Sequence, residues 1–240
     1  MIPKIINYCW FGKNPLPTSV KKCINSWKKY CPDYKIIQWD ETNFDVKSNM
    51  FVKEAYEAKA WAFVSDYARL KVIYENGGIY LDTDVELVKN LDFLLKNSAY
   101  IGIQQSEYLC NTGLGFGAEK GNRAIFEMLK EYEELSFIDN QRSKIVCPYL
   151  NDRAIQKIGK IQKNKVTVLP EITIFPPEYF DPYSVNVLFN KNTVSIHHYS
   201  GTWTSGSQRL KRKIAAILGT RNTVIVRNFI KSRIGHLIKK

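Results

Sequence analysis

Apolar positions alternate loosely from Ile2 to Trp10 (IPKIINYCW) and stop at FGKNPLP, which predicts a strand running into a Gly/Pro loop. Val20, Cys23, Ile24 and Trp27 then recur at helical spacing, so SVKKCINSWKKY is expected to be a helix, capped by Thr18 or Ser19 and broken at Cys31-Pro32-Asp33. Tyr34 to Trp39 (YKIIQW) reads as a second strand. A strand, helix, strand order this early argues for an α/β sheet with crossover connections. Phe51 to Asn76 reads as helix in two pieces; in the second, Phe63, Tyr67, Leu70, Ile73 and Tyr74 share a face, and Gly77 or Gly78 supplies a left-handed C-cap. The strand IYLDTDV is expected next, then a strand from Tyr100 to Gln104. NTGLGFGAEKGNRAI reads as a glycine-rich loop leading into a helix from about Asn122. Val166 to Leu169 and Val194 to His198 complete the expected strands.

At 240 residues the chain can bury one large core, and it shows no heptad, long repeat or low-complexity tract. No apolar run approaches the ~18 residues that cross a bilayer, and the N-terminal segment reads as strand and loop rather than secretion signal. Five cysteines without a C-x-x-C pair fit a reducing cytoplasm, with the thiols as small core residues and no zinc or disulfide role. The net charge of +12 is unevenly placed: no Asp or Glu follows Asp181, and ten Lys and Arg lie between Arg209 and Lys240. The rest of the chain is close to neutral and does not have the charge of a nucleic-acid binder.

The chemistry concentrates in GGIYLDTDVEL, Gly77 to Leu87. On one strand, Asp82 and Asp84 would share a side with Thr83 opposite. Two carboxylates that close repel unless a cation or several donors sit between them, so the stretch is either a solvated turn or a divalent metal site. Upstream, Asp66 and Arg69 are three apart on a helix face, either a surface ion pair or two groups reaching one site.

The combination AFVSDYARLKVIYENGGIYLDTDVEL resembles the core of glycosyltransferase family 32. That family includes capsular-polysaccharide sugar transferases and the yeast initiating mannosyltransferase, and is related to the glucosyltransferase domains of large clostridial toxins. The opening IPKIINYCWFG, with Asn7 where a His is common, the stretch PEITIFPPEYFDPYS and the terminal HHYSGTW carry the same resemblance over roughly residues 1 to 205. It implies a GT-A fold, a Rossmann-like α/β architecture with a mixed central sheet flanked by helices. It also implies a metal-dependent, retaining transferase that takes a hexose from a UDP-sugar, or a GDP-sugar, with Mn²⁺ or Mg²⁺, Mn²⁺ favoured.

By that resemblance Asp84 binds the metal directly, and Asp82 contacts the ribose or the metal through water. Asp66 accepts from the donor sugar's hydroxyls and Arg69 meets the sugar or diphosphate, roles that suit a carboxylate and a guanidinium. Trp10 stacks on the nucleotide base, against the alternative of a buried tryptophan. Tyr80 lines the sugar site or packs in the core, and Asn111 meets the donor sugar or the acceptor. In HHYSGTW, adjacent His197 and His198 on an extended segment face opposite ways, and His198 is the expected metal ligand. Ser200 or Thr202 donates a hydrogen bond, and Trp203 packs over the diphosphate.

Residues 206–240 form a second unit, a basic amphipathic helical extension in which Leu210, Ile214, Ile217 and Leu218, then Phe229, Ile230, Ile234, Leu237 and Ile238, run between cations. Such segments bind anionic membranes. The expected setting is therefore the inner face of a cell membrane, with a lipid-linked glycan acceptor in capsule, O-antigen or other surface polysaccharide synthesis. Two other readings compete: a nucleotidyltransferase using the aspartates for two-metal chemistry, and a non-catalytic sugar- or membrane-binding module.

Overall fold

The alternating opening forms β1 (Ile5–Cys9), and the amphipathic segment after the Pro-rich loop forms α1 (Thr18–Tyr30), with Val20, Cys23, Ile24 and Trp27 buried. Pro17 occupies the N-cap with no side-chain cap bond, so Thr18 and Ser19 already lie inside the helix instead of capping it. β2 (Lys35–Trp39) follows, then the expected helix pair, α2 (Met50–Glu57) and α3 (Trp61–Asn76). Gly77 ends α3 at φ +70°, its N–H bonded to Ile73 O at 2.8 Å. The computed structural model describes residues 1–137, 146–200, 221–225 and 228.

The stretch expected as one strand is two short ones, β3 (Gly78–Tyr80) and β4 (Val85–Leu87), in different sheets. Between them the chain turns, with Val85 N–H bonded to Asp82 O at 2.9 Å. Asp82 and Asp84 therefore share a site because a turn folds them together, and not because a pleat alternates.

β5 (Ala99–Ile103) is followed by β6 (Cys110–Ala118), nine residues, all buried, where a glycine-rich loop was expected. Its glycines keep strand spacing at 113, 115 and 117, and a Cβ at Gly117 would lie 2.7 Å from the Tyr100 ring, so small residues here allow close packing. α4 (Arg123–Lys130) starts as expected, Asn122 accepting from the N–H groups of Ala124 and Ile125. Then come α5 (Cys147–Gln156), β7 (Thr167–Val168), β8 (Thr173–Phe175), which the sequence pattern did not single out, and β9 (Ser195–His197).

Seven strands form a mixed sheet in the order β2-β1-β3-β6-β5-β8-β7, and β4 and β9 form an antiparallel pair. The β2-β1-β3 block is parallel, and β6 joins it antiparallel on β3. One apolar layer packs residues of α2, α3, α4 and α5 on the sheet. The other packs α1 and the β4–β9 pair on the opposite face. Trp27 of α1, fully buried, donates its indole N–H to Val85 O at 2.7 Å and so ties this layer to the strand just after the aspartates. The result is the helix-flanked mixed sheet that the GT-A resemblance implies. Among the described residues no helix is long and apolar enough to cross a membrane. The boundary expected at 205/206 and nearly all of the basic extension, apart from residues 221–225 and 228, lie outside the described residues.

Candidate active site

The site forms where β1 and β3 end, the side of an open α/β sheet that holds ligands. Leu81 N–H bonds to Asn7 O at 3.1 Å, which fixes the chain just before the turn. Asn7 itself is fully buried: its amide donates to Ile79 O at 3.2 Å and accepts from the Trp39 indole at 2.9 Å, bracing β1 against both neighbours.

α3 brings Asp66 and Arg69 to the same place. Arg69, 4% exposed, bridges two carboxylates, with one guanidinium nitrogen 3.1 Å from Asp66 Oδ1 and 3.0 Å from Asp82 Oδ1. Its other terminal nitrogen faces Thr112 Oγ1 at 3.4 Å and Cys147 Sγ at 3.7 Å, and the guanidinium lies 5.2 Å from the centre of the Tyr80 ring. The pair is thus no surface ion pair, and burial changes its titration. Burial pushes the Asp66 carboxyl up to about 6, Arg69 opposing the rise and Asp82 adding to it. Asp82 is raised for the same reason, again opposed by Arg69.

Asp84 has the opposite environment. His197 Nε2 lies 3.0 Å from its Oδ1, and Ser200 donates to Oδ2 from its N–H at 2.8 Å and its hydroxyl at 2.9 Å. Burial alone would raise the Asp84 pKa; the His197 charge and these bonds hold it well below the usual carboxylate range. Burial would likewise lower His197, but the charge and hydrogen bond of Asp84 leave it raised.

Asp82, Asp84 and His197 form the one group of potential metal ligands among the described residues, each offering an atom within 4.8 Å of the others. That span is close to the ~4.2 Å between opposite ligands of an octahedral ion with bonds of ~2.1 Å. Two carboxylates and an imidazole suit a hard or borderline divalent cation, so these residues fit such an ion.

The geometry corrects the choice between the adjacent histidines. β9 pairs with β4 so that His197 stands opposite Val85 and its ring reaches Asp84. His198 points the other way, its Nε2 2.9 Å from Glu86 Oε2. Facing opposite ways was the sound expectation; which side faced the site depended on the β4–β9 register, which no local pattern reveals.

The other candidates divide. Tyr80 is 1% exposed and packs on Phe116 and beneath Arg69, so it is core rather than an open sugar wall. Trp10 is half-buried, its indole N–H bonded to Asn14 O at 2.6 Å, which leaves part of the ring open after β1. Asn111 lies in β6, 8% exposed, donating to Gln104 Oε1 at 2.8 Å and accepting from Gly113 N–H at 2.7 Å. Thr202 and Trp203 lie outside the described residues. Gly113 was missed: a Cβ there would sit 2.8 Å from Asp82 Oδ2 and 3.0 Å from Asn111 Oδ1, so the aspartate needs that vacancy. The alternating glycines of β6 were the available signal.

Residues 17–101 match the family described as the glycosyltransferase sugar-binding region containing a DXD motif. The chain is 26% identical over 199 residues to a glycosyltransferase of Acanthamoeba polyphaga mimivirus, L373, covering 80% of this chain and 77% of that one. It is 27% identical over 144 residues to inositol phosphoceramide mannosyltransferase 3 of Schizosaccharomyces pombe, covering 57% of this chain and 38% of the yeast protein, so it spans well under half of that relative. Among solved structures, a glycosyltransferase involved in glycosylation of the major capsid of PBCV-1 superposes with a TM-score of 0.48 at 13% identity, over 90% of this chain and 100% of that one. The PaToxG glycosyltransferase has a TM-score of 0.48 at 18% identity, over 65% and 68%.

Proposed function

We propose that this chain is a glycosyltransferase like those whose sugar-binding region contains a DXD motif, and that it moves a hexose from a nucleoside-diphosphate sugar to a glycan acceptor with retention of configuration. The observation that carries this reading is the convergence of Asp82, Asp84 and His197 beside the buried Arg69 at the ends of β1 and β3. A divalent cation held by those three residues, Mn²⁺ favoured over Mg²⁺ by the imidazole, supplies Lewis-acid neutralisation of charge on the leaving diphosphate.

The protein's own groups do the rest. Arg69 holds Asp66 and Asp82 in fixed positions and keeps a buried positive charge beside a site for anions. Asp66, titrating near 6, is mainly ionised at neutral pH and accepts from paired hydroxyls of the donor sugar. Ser200 orients Asp84 through two hydrogen bonds. In a front-side displacement the acceptor oxygen bonds to the anomeric carbon as the bond to phosphate breaks. The acceptor proton passes to the departing phosphate oxygen, so the step needs no enzymatic base.

A UDP-sugar is the favoured donor and a GDP-sugar the alternative, with Trp10 stacking on the base. The acceptor is a lipid-linked glycan, a reading supported by the basic extension and by yeast relatives named for inositol phosphoceramide. On this reading the enzyme works at the inner face of a membrane, in surface-polysaccharide synthesis.

The test is hydrolysis of UDP- and GDP-hexoses without acceptor, in Mn²⁺, Mg²⁺ or EDTA. Cation-dependent release of nucleoside diphosphate that falls at least about 100-fold in Asp84→Asn supports the reading. Equal release in EDTA, or full activity in Asp84→Asn, overturns it.

A further inference from the structure

The stretch FDPYS, part of the family resemblance, has no role in the chemistry above, yet it holds a buried carboxylate. Asp181 is 1% exposed, and its Oδ2 accepts from Gln105 N–H at 2.7 Å, Ser184 Oγ at 2.6 Å and Tyr199 OH at 2.9 Å. Gln105 follows β5 and clamps the same segment, its amide nitrogen bonded to Asp181 O at 2.6 Å and Asn186 O at 3.0 Å, its amide oxygen accepting from Asn186 N–H at 2.8 Å. Asp181 is therefore anchored to the end of β5 through Gln105.

Tyr199 stands between His197 and Ser200, the two residues that grip Asp84. Its φ is +48°, a left-handed conformation that a bulky residue keeps only when its surroundings hold it there. That local reversal lets His197 and Ser200 both turn to Asp84, while His198 N–H bonds to Asp84 O at 3.0 Å. The Tyr199 ring packs edge-on against the His197 ring, centroids 4.0 Å apart, and its hydroxyl ends on Asp181.

We propose that Asp181 and Tyr199 are positioning residues, a latch that ties the His197–Ser200 loop to the main sheet and thereby sets the site's affinity for its divalent cation. The proposal rests on the cation-site reading above and deepens it. A buried anion holding a tyrosine hydroxyl fixes the tyrosine ring, and the ring fixes the imidazole plane, as outer partners of metal ligands commonly do. Without the latch, Tyr199 loses the bond that offsets its strained backbone, and the loop relaxes away from Asp84.

The test measures Mn²⁺ binding to the full chain by the loss of the free-ion electron paramagnetic resonance signal, for Tyr199→Phe, Asp181→Asn, His197→Ala and Ser200→Ala. Tyr199→Phe removes one oxygen, and circular dichroism before titration selects folded samples. The latch predicts about three- to tenfold weaker Mn²⁺ binding in Tyr199→Phe and in Asp181→Asn, the loss expected for one hydrogen bond of ordinary net strength. It also predicts that Tyr199→Phe adds nothing further when His197 and Ser200 are both alanine, because the hydroxyl acts only through them. Weakening in His197→Ala with parent-like binding in both latch variants overturns the latch and leaves the cation site standing. Parent-like binding in His197→Ala overturns the cation site, and the latch with it. A Tyr199→Phe effect that persists undiminished in the double-alanine background reduces Tyr199 to a structural residue.

Discussion

Replacing Arg69 by methionine keeps most of its volume and removes the charge between Asp66 and Asp82. Each carboxylate oxygen lies 3.0–3.1 Å from a guanidinium nitrogen. At an effective dielectric of about 20 and a charge separation of about 4 Å, each pair is worth ~4 kcal/mol before desolvation. Arg69 offsets much of this by its own burial, so the net expected loss is that of breaking a buried pair from one side, ~3–5 kcal/mol at about pH 8 without metal. The loss shrinks in acid. Asp66 titrates near 6 when folded, against 3.8 ordinarily, so between those values the folded state binds more protons and its stability falls as pH rises. Without Arg69 the folded pKa rises further, and the gap between variant and parent widens from about pH 5 to about pH 8. Urea unfolding in EDTA, followed by tryptophan fluorescence with Trp27 fully buried, measures it. Adding Asp66→Asn and Asp82→Asn to Arg69→Met should restore part of the loss. A cost below ~1 kcal/mol at pH 8, or one independent of pH, refutes the view of Arg69 as a clamp.

Three further outcomes are expected. Gly78→Ala places a Cβ 2.9 Å from Ile5 O at φ +103°, so it should cost at least ~2 kcal/mol in urea unfolding, with β1–β3 pairing loosened. Burial pushes Cys9 and Cys23 up to about 12, and Cys31 and Cys147 up to about 11, so their thiols should react with a disulfide reagent at pH 8 about 100-fold more slowly when folded than in urea. One fast-reacting thiol among the four contradicts that packing. The full chain should sediment with anionic vesicles at low salt and be released by high salt, each Lys or Arg near the surface contributing ~1 kcal/mol; no sedimentation at low salt refutes the membrane role of residues 206–240.

What could be read in advance follows from the range of each signal. The body of α1, the α2–α3 break and the start of α4 near Asn122 are encoded within a few residues as apolar spacing and breakers, and the structure has them where the pattern puts them. The nine buried residues of β6 were misjudged because glycines that permit close packing look locally like glycines that permit turns. Asp66, Arg69, Asp82 and Asp84 were expected at one place because resemblance and chemistry agreed, and the structure brings them together, Arg69 pairing with both Asp66 and Asp82. His197 was not: the histidine that faces Asp84 is chosen by a pairing between residues over a hundred positions apart. Asp181 and Gln105 were invisible for the same reason, since each works through a partner on another element.

The turn at Asp82–Val85 shows that a turn and a candidate cation site need not be rival readings. Had IYLDTDV continued as one strand, both carboxylates would have projected from one face of one sheet, with nothing to enclose them. Instead β3 ends in the main sheet, and β4 begins in the small one, so the two aspartates stand at the seam between layers. Asp82 faces the main-sheet side and takes Arg69 from α3; Asp84 faces the small sheet and takes His197 and Ser200. The same turn gives the pair opposite titration, one carboxyl raised by burial and one lowered by its donors. A site assembled across such a seam depends on how the β4–β9 layer is held against the main sheet. Trp27 to Val85 O and Ser26 to Leu87 N–H tie β4 to α1, and Tyr199 to Asp181 ties the end of β9 to the segment that Gln105 anchors beside β5. Loosening either should therefore disturb Asp84 and His197 before it disturbs Asp66, Arg69 and Asp82, which are joined within the main layer.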